Sequence, residues 1–334
     1  MSARSLFFVG PRQAVILDSA PGQPGAGQVR VRTTLSAVSP GTELLIYRGE
    51  APRELSADAT IAALGGGLSF PLKYGYCCVG VVEARGPDVD PAWQGRRVFA
   101  FNPHESAFVA RVADLLPVPD DIADDDAVLL PNMESAVNFV LDAQPLLGEV
   151  AVVVGQGMVG LLTTAVLARM PLAELTTVER LSERRSWSLA MGATRTIDPS
   201  DAVAFDALRE RADVAFELSG APAALDTAIA LTGFGGRVVI GSWYGAKPVT
   251  VDLGGRFHRS RIRLIASQVS TLTPELGARW SKARRMDVAW RMLRAIKPAR
   301  LITHRQKFED AAAGYRLLDE QPGAALQVVF EYGV

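Results

Sequence analysis

The sequence predicts an α/β chain of two parts: a β-rich first part that reads as a small barrel-like domain, then an open parallel sheet covered by helices on both faces. Three observations predict this. The chain has 334 residues, too many for one ordinary core and suited to two domains of ~100–200 residues each. Residues 1–120 read as short strands between turn clusters. Strands and helices then alternate until about residue 270, the pattern of right-handed βαβ units in a parallel sheet.

Residues 28–33 alternate apolar and polar side chains, as a half-buried strand does, after the turn-forming run at 21–25. Residues 75–83 are apolar and β-branched and lead into the Gly86-Pro87 turn, and residues 95–101 form another strand. Residues 127–142 have helical spacing. Residues 148–154 end in a continuous apolar run of the kind buried on both faces of a parallel sheet. A helix follows over 159–170, stopped by Pro171, then a strand at 175–178 and a helix at 182–191 ending at Gly192. A strand at 214–218, a helix at 221–231 and strands at 236–241 and 262–267 complete the alternation. Residues 282–296 and 308–318 read as helices, and 326–331 as a closing strand.

Composition bounds the function. Hydrophobic residues make up 49% and charged residues 21%, a globular rather than a disordered balance. The formal net charge of −1 gives no overall attraction to nucleic acid or to an anionic membrane. The apolar stretch near the start, residues 6–9, is too short for a secretory core. No apolar run approaches the ~20 residues of a membrane span, so a cytoplasmic protein is expected. Cys77 and Cys78 are adjacent and have no other cysteine to pair with. They are expected to pack as small apolar residues.

Gly155-Gln156-Gly157-Met158-Val159-Gly160 is a G-x-G-x-x-G motif between a buried strand and a helix. The first glycine makes the tight turn, the second lets the backbone approach a pyrophosphate, and the third lets helix pack on strand. The helix start supplies N–H groups and a positive dipole end. Glu179 stands 19 residues after Gly160, at the end of the next strand, where an acid accepts hydrogen bonds from a ribose 2′-hydroxyl and repels a 2′-phosphate. This favours NAD over NADP, although Arg180, Arg184 and Arg185 follow closely. Ser219-Gly220 and Gly241-Ser242 end the next two strands and, since ligands lie across the carboxyl ends of such strands, are expected to line the cofactor.

The order of these pieces resembles the medium-chain dehydrogenase/reductase superfamily over essentially the whole chain. The resemblance is carried by Ser39-Pro40-Gly41-Thr42-Glu43 with Tyr47-Arg48-Gly49, by residues 71–82 (PLKYGYCCVGVV), by residues 148–160 and by Glu217-Leu218-Ser219-Gly220. It implies a GroES-like β-barrel domain at 1–127 and 268–334 with a Rossmann domain inserted at 128–267, and an NAD(P)-dependent oxidoreductase. It also implies dimers or tetramers, commonly formed by extending the Rossmann sheet edge. A homodimer is expected here, with residues 242–253 as a candidate edge strand.

The departures from the family pattern bear on mechanism. Zinc-containing members carry a cysteine where this chain has Pro40, and Gly-His-Glu where it has Gly75-Tyr76-Cys77. The lobe of four closely spaced cysteines is missing. Zinc needs three or four Cys, His or carboxylate ligands, so no zinc is expected, with a substitute set of Cys77, His104 and Glu134 as the alternative. Tyr76 together with Gly41-Thr42-Glu43 is locally similar to the bacteriochlorophyllide-a dehydrogenase branch, which oxidises a secondary alcohol on a large planar ring to a ketone.

Without zinc, a side chain, water or ribose relay must take the hydroxyl proton and stabilise the alkoxide. Tyr76 is read either as that group, its phenol lowered from a pKa of ~10 by Lys73 and the nicotinium ring, or as a pocket wall. Glu134 is read as a base or substrate anchor, or as a helix-start acid. Thr42 and His104 complete the catalytic candidates, His104 with a structural role as the alternative. Glu43 is expected to make structural hydrogen bonds in its loop. Residues 256–307 hold fourteen Lys or Arg against Glu275 and Asp287, opposite in sign to the block Asp120, Asp121, Asp124, Asp125 and Asp126. The two regions are expected to complement each other. The sharper expectation is that Arg256, Arg259, Arg261 or Arg263 binds an anionic substrate.

The sequence thus predicts a zinc-independent NAD(H) oxidoreductase interconverting a secondary alcohol and a carbonyl compound. The alternatives are a zinc-free enone or quinone reductase and a non-catalytic nucleotide-binding protein. The only partner expected besides a second copy is a small-molecule substrate, with no nucleic acid and no membrane.

Overall fold

The computed structural model describes residues 3–58 and 60–333. The chain divides into two compact units, one running up to Pro131 and resuming at Lys297, the other spanning Asn132–Ile296.

The first unit opens with a hairpin of β1 (Ala3–Gly10) and β2 (Gln13–Ser19). β3 (Gln28–Ala37) follows, then helix α1 (Pro40–Arg48), β4 (Cys78–Arg85), β5 (Arg97–Ala100), β6 (Ala107–Arg111), β7 (Leu115–Pro117) and the short helix α2 (Asp124–Ala127). In β3 the apolar residues Val29 and Val31 are fully buried and alternate with the half-buried Arg30 and Arg32, the period that the pleat imposes. Their core partners include Cys78, Val82, Val98 and Phe108.

The second unit contains α3 (Leu130–Ala143), β8 (Val150–Val154), α4 (Met158–Leu167), β9 (Glu174–Val178), α5 (Ser182–Ala190), β10 (Arg195–Ile197), α6 (Ala202–Asp206), β11 (Ala212–Glu217), α7 (Ala224–Leu231), β12 (Thr232–Ile240), β13 (Arg263–Ala266) and α8 (Lys282–Ile296). Its six strands are all parallel, in the order β10-β9-β8-β11-β12-β13. That order reverses between β8 and β11, the switch point where open sheets bind ligands. The apolar run of β8 serves both faces: Val152 and Val154 join one core with Ala215 and Val238, while Ala151 and Val153 join another with Val214 and Phe216.

Back in the first unit, β14 (His304–Lys307), α9 (Ala311–Glu320) and β15 (Val328–Glu331) finish the chain. β15 pairs antiparallel with the end of β3, so the last residues complete the sheet begun by the first. That sheet runs β14-β15-β3-β4-β5-β7, with β6 on the other half of β3.

Several expectations change. The return to the first unit falls at Lys297 rather than 268, because α8 packs within the second unit through Arg285. Residues 242–252 pair with no strand within the chain. Residues 75–77 lie outside β4, and Glu43, expected in a loop, lies in helix α1.

Candidate functional site

In the second unit, the turn between β8 and α4 is closed by backbone packing. Gly155 adopts a φ of 91°, and a Cβ there would lie 2.6 Å from the Ser219 backbone. A Cβ on Gly160 would lie 2.1 Å from the Gly155 carbonyl oxygen. Gly157 differs: a Cβ on it meets nothing within 4 Å. Protein packing therefore explains two of the three glycines and leaves the backbone at Gly157 uncovered. Gly157 is the residue before α4, which Met158 and Val159 begin. Gln156, fully buried, braces the turn, its amide donating to the Gly155 carbonyl and its side-chain oxygen accepting from Thr164.

Glu179 ends β9 beside this turn. One carboxylate oxygen accepts the Gln156 N–H at 2.8 Å and the other the Leu181 N–H at 2.9 Å. A carboxylate oxygen can accept more than one hydrogen bond. Arg185 is occupied by the Glu179 and Arg180 carbonyls and by Asp198, and burial lowers the Arg184 guanidinium pKa against the opposing pull of Glu179. Arg180 is exposed.

At the ends of β11 and β12, the Gly220 N–H donates to Ser242 Oγ at 2.9 Å. Gly241 must be small, since a Cβ would lie 2.5 Å from Phe139. The sequence reading passed over Glu217, which is fully buried and accepts from Ser219 N–H, Ser219 Oγ and the Tyr244 hydroxyl. Burial, reinforced by this bond to Glu217, pushes the Tyr244 phenol up. A glutamate at a strand end is not distinctive in sequence; only its position opposite Tyr244 marks it.

Glu134 does not stand free. Its Oε1 receives Arg285 Nε at 3.1 Å and Nη2 at 2.7 Å. Burial raises its pKa against the opposing charge of Arg285. Arg285 also binds Asn138 Oδ1 and the carbonyls of Val269 and Thr271. The expectation of Glu134 as base or anchor is therefore replaced by a structural ion pair. No sequence signal singled out Arg285 from the other cations of its segment.

In the first unit, a chain of hydrogen bonds runs through buried side chains. Tyr332 meets Ser36 Oγ at 2.8 Å, Ser36 Oγ meets His104 Nδ1 at 2.7 Å, and His104 Nε2 meets Glu43 Oε2 at 3.0 Å. The Tyr315 hydroxyl donates to the same Glu43 oxygen. Glu43 Oε1 accepts the Ser39 N–H at 2.7 Å. Glu43 and His104 are fully buried, so neither touches a substrate, and His104 as a direct general acid is corrected to a supporting role.

Tyr76 and Thr42 are partly exposed. The Tyr76 hydroxyl donates to Ser39 Oγ at 2.6 Å. Burial is the largest influence on this phenol and pushes its pKa up, and the neighbouring Cys77 and Glu43 add to the rise. The expected lowering by Lys73 fails because Lys73 Nζ pairs with Glu105 at 2.7 Å. Burial thus favours the protonated form of the Tyr76 phenol.

The zinc ligand positions of the family do not suit a metal here. Pro40 offers no donor, and the Tyr76 hydroxyl is engaged by Ser39. Cys77 is fully buried, its thiol pushed well up by burial. Cys78 beside it is pushed up to about 12, again by burial. Among the described residues no group of three or more His, Cys, Asp or Glu is arranged to hold a metal ion, including the alternative set of Cys77, His104 and Glu134.

The basic segment resolves into separate tasks. Arg305 pairs with Asp125, and Asp126 accepts the Ala299 N–H at 2.7 Å, so parts of the acidic and basic regions do meet within the first unit. Arg256 pairs with Glu210 and donates to the Thr232 carbonyl. Arg261 and Arg263 lie at the amino end of β13, opposite to the strand ends that carry Ser219 and Ser242. Arg256 is thus engaged within the second unit, and Arg261 and Arg263 stand away from those strand ends. No helix among the described residues is long and apolar enough to cross a membrane.

Comparison with known proteins gives consistent matches. Residues 159–285 match the family model of zinc-binding dehydrogenases. The starvation-sensing protein RspB of Escherichia coli is 22% identical over 98% of this chain and 99% of its own length. D-guloside 3-dehydrogenase of Escherichia coli is 23% identical over 87% of this chain and 88% of its own. Among solved structures, a short chain alcohol dehydrogenase (rspB) of Escherichia coli complexed with NADH aligns with a TM-score of 0.79 at 20% identity, covering 99% of both chains. A zinc-binding dehydrogenase of Sinorhizobium meliloti bound to NADP aligns with a TM-score of 0.79 at 16% identity, also covering 99% of both. At these identities the structural likenesses show the fold.

Proposed function

Given that the chain is a member of the medium-chain dehydrogenase/reductase superfamily and an NAD(P)-dependent oxidoreductase, we propose that it interconverts a secondary alcohol and a ketone, with NAD(H) as cofactor and without a catalytic zinc. The observation that carries the cofactor reading is the cradle around Gly157, open where a pyrophosphate approaches and closed on the protein side by Gly155 and Gly160. Gly155, Gly157, Met158, Val159 and Gly160 would hold the pyrophosphate, and Glu179 with Arg180 the adenosine ribose. Ser219, Gly220, Gly241 and Ser242 would hold the remainder. Glu179 favours NAD over NADP because a carboxylate repels a 2′-phosphate.

When bound, the nicotinamide supplies or accepts the hydride. The chain's own task is the proton. Tyr76, kept neutral by burial, donates its phenol proton to the oxygen of the carbonyl group being reduced, and Thr42 lies next to it on the exposed side of the buried network. Pro40, the engaged Tyr76 hydroxyl and the buried Cys77 support a zinc-free mechanism, since a catalytic zinc needs three protein ligands. A secondary alcohol agrees with the name of D-guloside 3-dehydrogenase, which places that protein's reaction at a ring carbon.

The test combines metal analysis and turnover. Purified, unchelated protein should contain less than about 0.1 zinc per chain and should reduce NAD in preference to NADP with members of a panel of 2,3-butanediol, sugar alcohols, glycosides and L-threonine. Chelation should leave the rate unchanged. About one zinc per chain, with activity lost on chelation, would replace this mechanism by Lewis-acid catalysis.

A further inference from the structure

Ser39 stands immediately before α1, where a serine hydroxyl ordinarily accepts a backbone N–H of the first helical turn. It makes no such bond. Its Oγ is turned instead onto the Tyr76 hydroxyl, 2.6 Å away, although Ser39 is only 6% exposed. From this diversion we infer that Ser39 is a positioning residue that orients the Tyr76 phenol for proton transfer. The inference rests on the reading of Tyr76 as the proton donor.

Both partners are referenced to one buried ring. The Ser39 N–H is held by Glu43, whose other oxygen meets His104 Nε2 and the Tyr315 hydroxyl. On the other side, a Cβ at Gly75, the residue before Tyr76, would lie 2.6 Å from the same His104 ring. The backbone entering Tyr76 therefore rests against the imidazole that also fixes the carboxylate holding Ser39. His104 is fixed in turn by Ser36. The fully buried Glu43 and His104, though they never meet substrate, set the separation of the two hydroxyls.

The pair has a defined part in the reaction. At rest the phenol donates to Ser39 Oγ. Hydroxyl hydrogens rotate freely between donor and acceptor roles. When the carbonyl oxygen gains negative charge on hydride arrival, the phenol turns its hydrogen to that oxygen and Ser39 turns its own hydrogen to the phenol oxygen. The proton then passes from Tyr76 to the alkoxide, giving the alcohol. The phenolate left behind accepts the Ser39 hydrogen bond until water returns a proton to it.

Two measurements test this on the full chain. In protein labelled with carbon-13 at the tyrosine ring carbon bearing oxygen, the Tyr76 signal, identified by its loss in Tyr76→Phe, should shift in Ser39→Ala and return toward its wild-type position in Ser39→Thr. With NADH and the ketone of the best alcohol in the panel above, Ser39→Ala should lower kcat about tenfold at unchanged KM. This is part of the ~10²–10⁴-fold that a positioned acid contributes. The double variant should be no slower than Tyr76→Phe alone. Melting curves of Ser39→Thr guard against a folding defect in Ser39→Ala. An unmoved Tyr76 signal, or losses that simply add in the double variant, would overturn the inference. If Tyr76→Phe is slow but Ser39→Ala is not, only the role of Ser39 falls. If Tyr76→Phe turns over at the wild-type rate, the donor reading falls and this inference with it.

Discussion

Arg285 places its Nη2 atom 2.7 Å from Glu134 Oε1, with the arginine side chain 1% exposed. The pair joins α8 to α3 and, through the carbonyls of Val269 and Thr271, holds the segment that leaves the carboxyl end of β13. Removing one partner leaves the other charge buried and uncompensated, which typically costs about 3–5 kcal/mol. Glu134→Ala and Arg285→Ala are each expected to lower unfolding free energy by that amount in urea titrations. Replacing both with Leu should recover much of the loss. Were Glu134 a catalytic base instead, Glu134→Gln would abolish turnover at unchanged stability.

Two of the motif glycines predict different outcomes. In Gly160→Ala the new methyl would sit on the Gly155 carbonyl, so both stability and NADH affinity should fall. Gly157→Ala meets no protein atom within 4 Å and should change stability by no more than about 0.5 kcal/mol. Its NADH dissociation constant, read by fluorescence titration, should nevertheless rise at least about tenfold, because the methyl occupies the path of the pyrophosphate. Unchanged affinity in Gly157→Ala would contradict the cradle.

Glu179→Ala removes both the ribose acceptor and the repulsion of a 2′-phosphate. The ratio of kcat/KM for NADP over NAD should rise by more than tenfold. The absolute rate with NAD should also fall, because the Gln156 and Leu181 N–H groups lose their acceptor. A ratio that stays put would mean the discrimination lies elsewhere.

The rate of ketone reduction should be independent of pH from about 6 to 9.5, because burial raises the Tyr76 phenol above its ordinary value near 10 and the donor form is complete throughout. Alcohol oxidation should rise with pH over the same range, since its proton must leave. Stability has its own alkaline signature. Tyr47, Tyr74, Tyr76, Tyr244, Tyr315 and Tyr332 all have raised pKa values, each chiefly through burial. Above about pH 10 the unfolded chain releases protons that the folded chain keeps, so unfolding free energy must fall there. Melting temperature against pH checks the sign.

Asp319 predicts the acid side. Burial alone would raise its pKa, but hydrogen bonds from Arg48 and Arg12 more than offset this and hold it below the usual carboxylate value. Its contribution is complete above about pH 4 and is lost as pH falls through the depressed value. The stability difference between wild type and Asp319→Asn, about 1 kcal/mol near neutrality given the partial exposure of the arginines, should therefore shrink between about pH 4 and 2.

The parallel sheet and its cofactor end were legible because their signals are local. The run ending at Val154, the glycines at 155, 157 and 160 and the acid at 179 lie within one βαβ unit, and Gly155 and Gly160 each answer to a backbone contact a few residues or one strand away. Thr42 and Tyr76 were singled out through the family pattern at their positions. What failed was any reading that depended on a distant partner. His104 looked free in sequence; the structure buries it between Ser36 and Glu43, 68 and 61 residues away. Glu134 looked like an unpaired acid until Arg285, 151 residues on, reached it.

The sequence by itself determined the βαβ order and the glycine turn at 155–160, since these follow from residue type and short spacing. Tertiary structure alone decided that burial raises the Tyr76 phenol, that Ser39 faces it rather than capping its own helix, and that the second unit extends to Ile296. The physical reason is that protonation state and hydrogen-bond partner depend on burial and on groups brought together by long-range packing. In the buried network Tyr332 meets Ser36 across 296 residues, a distance over which no local pattern carries information.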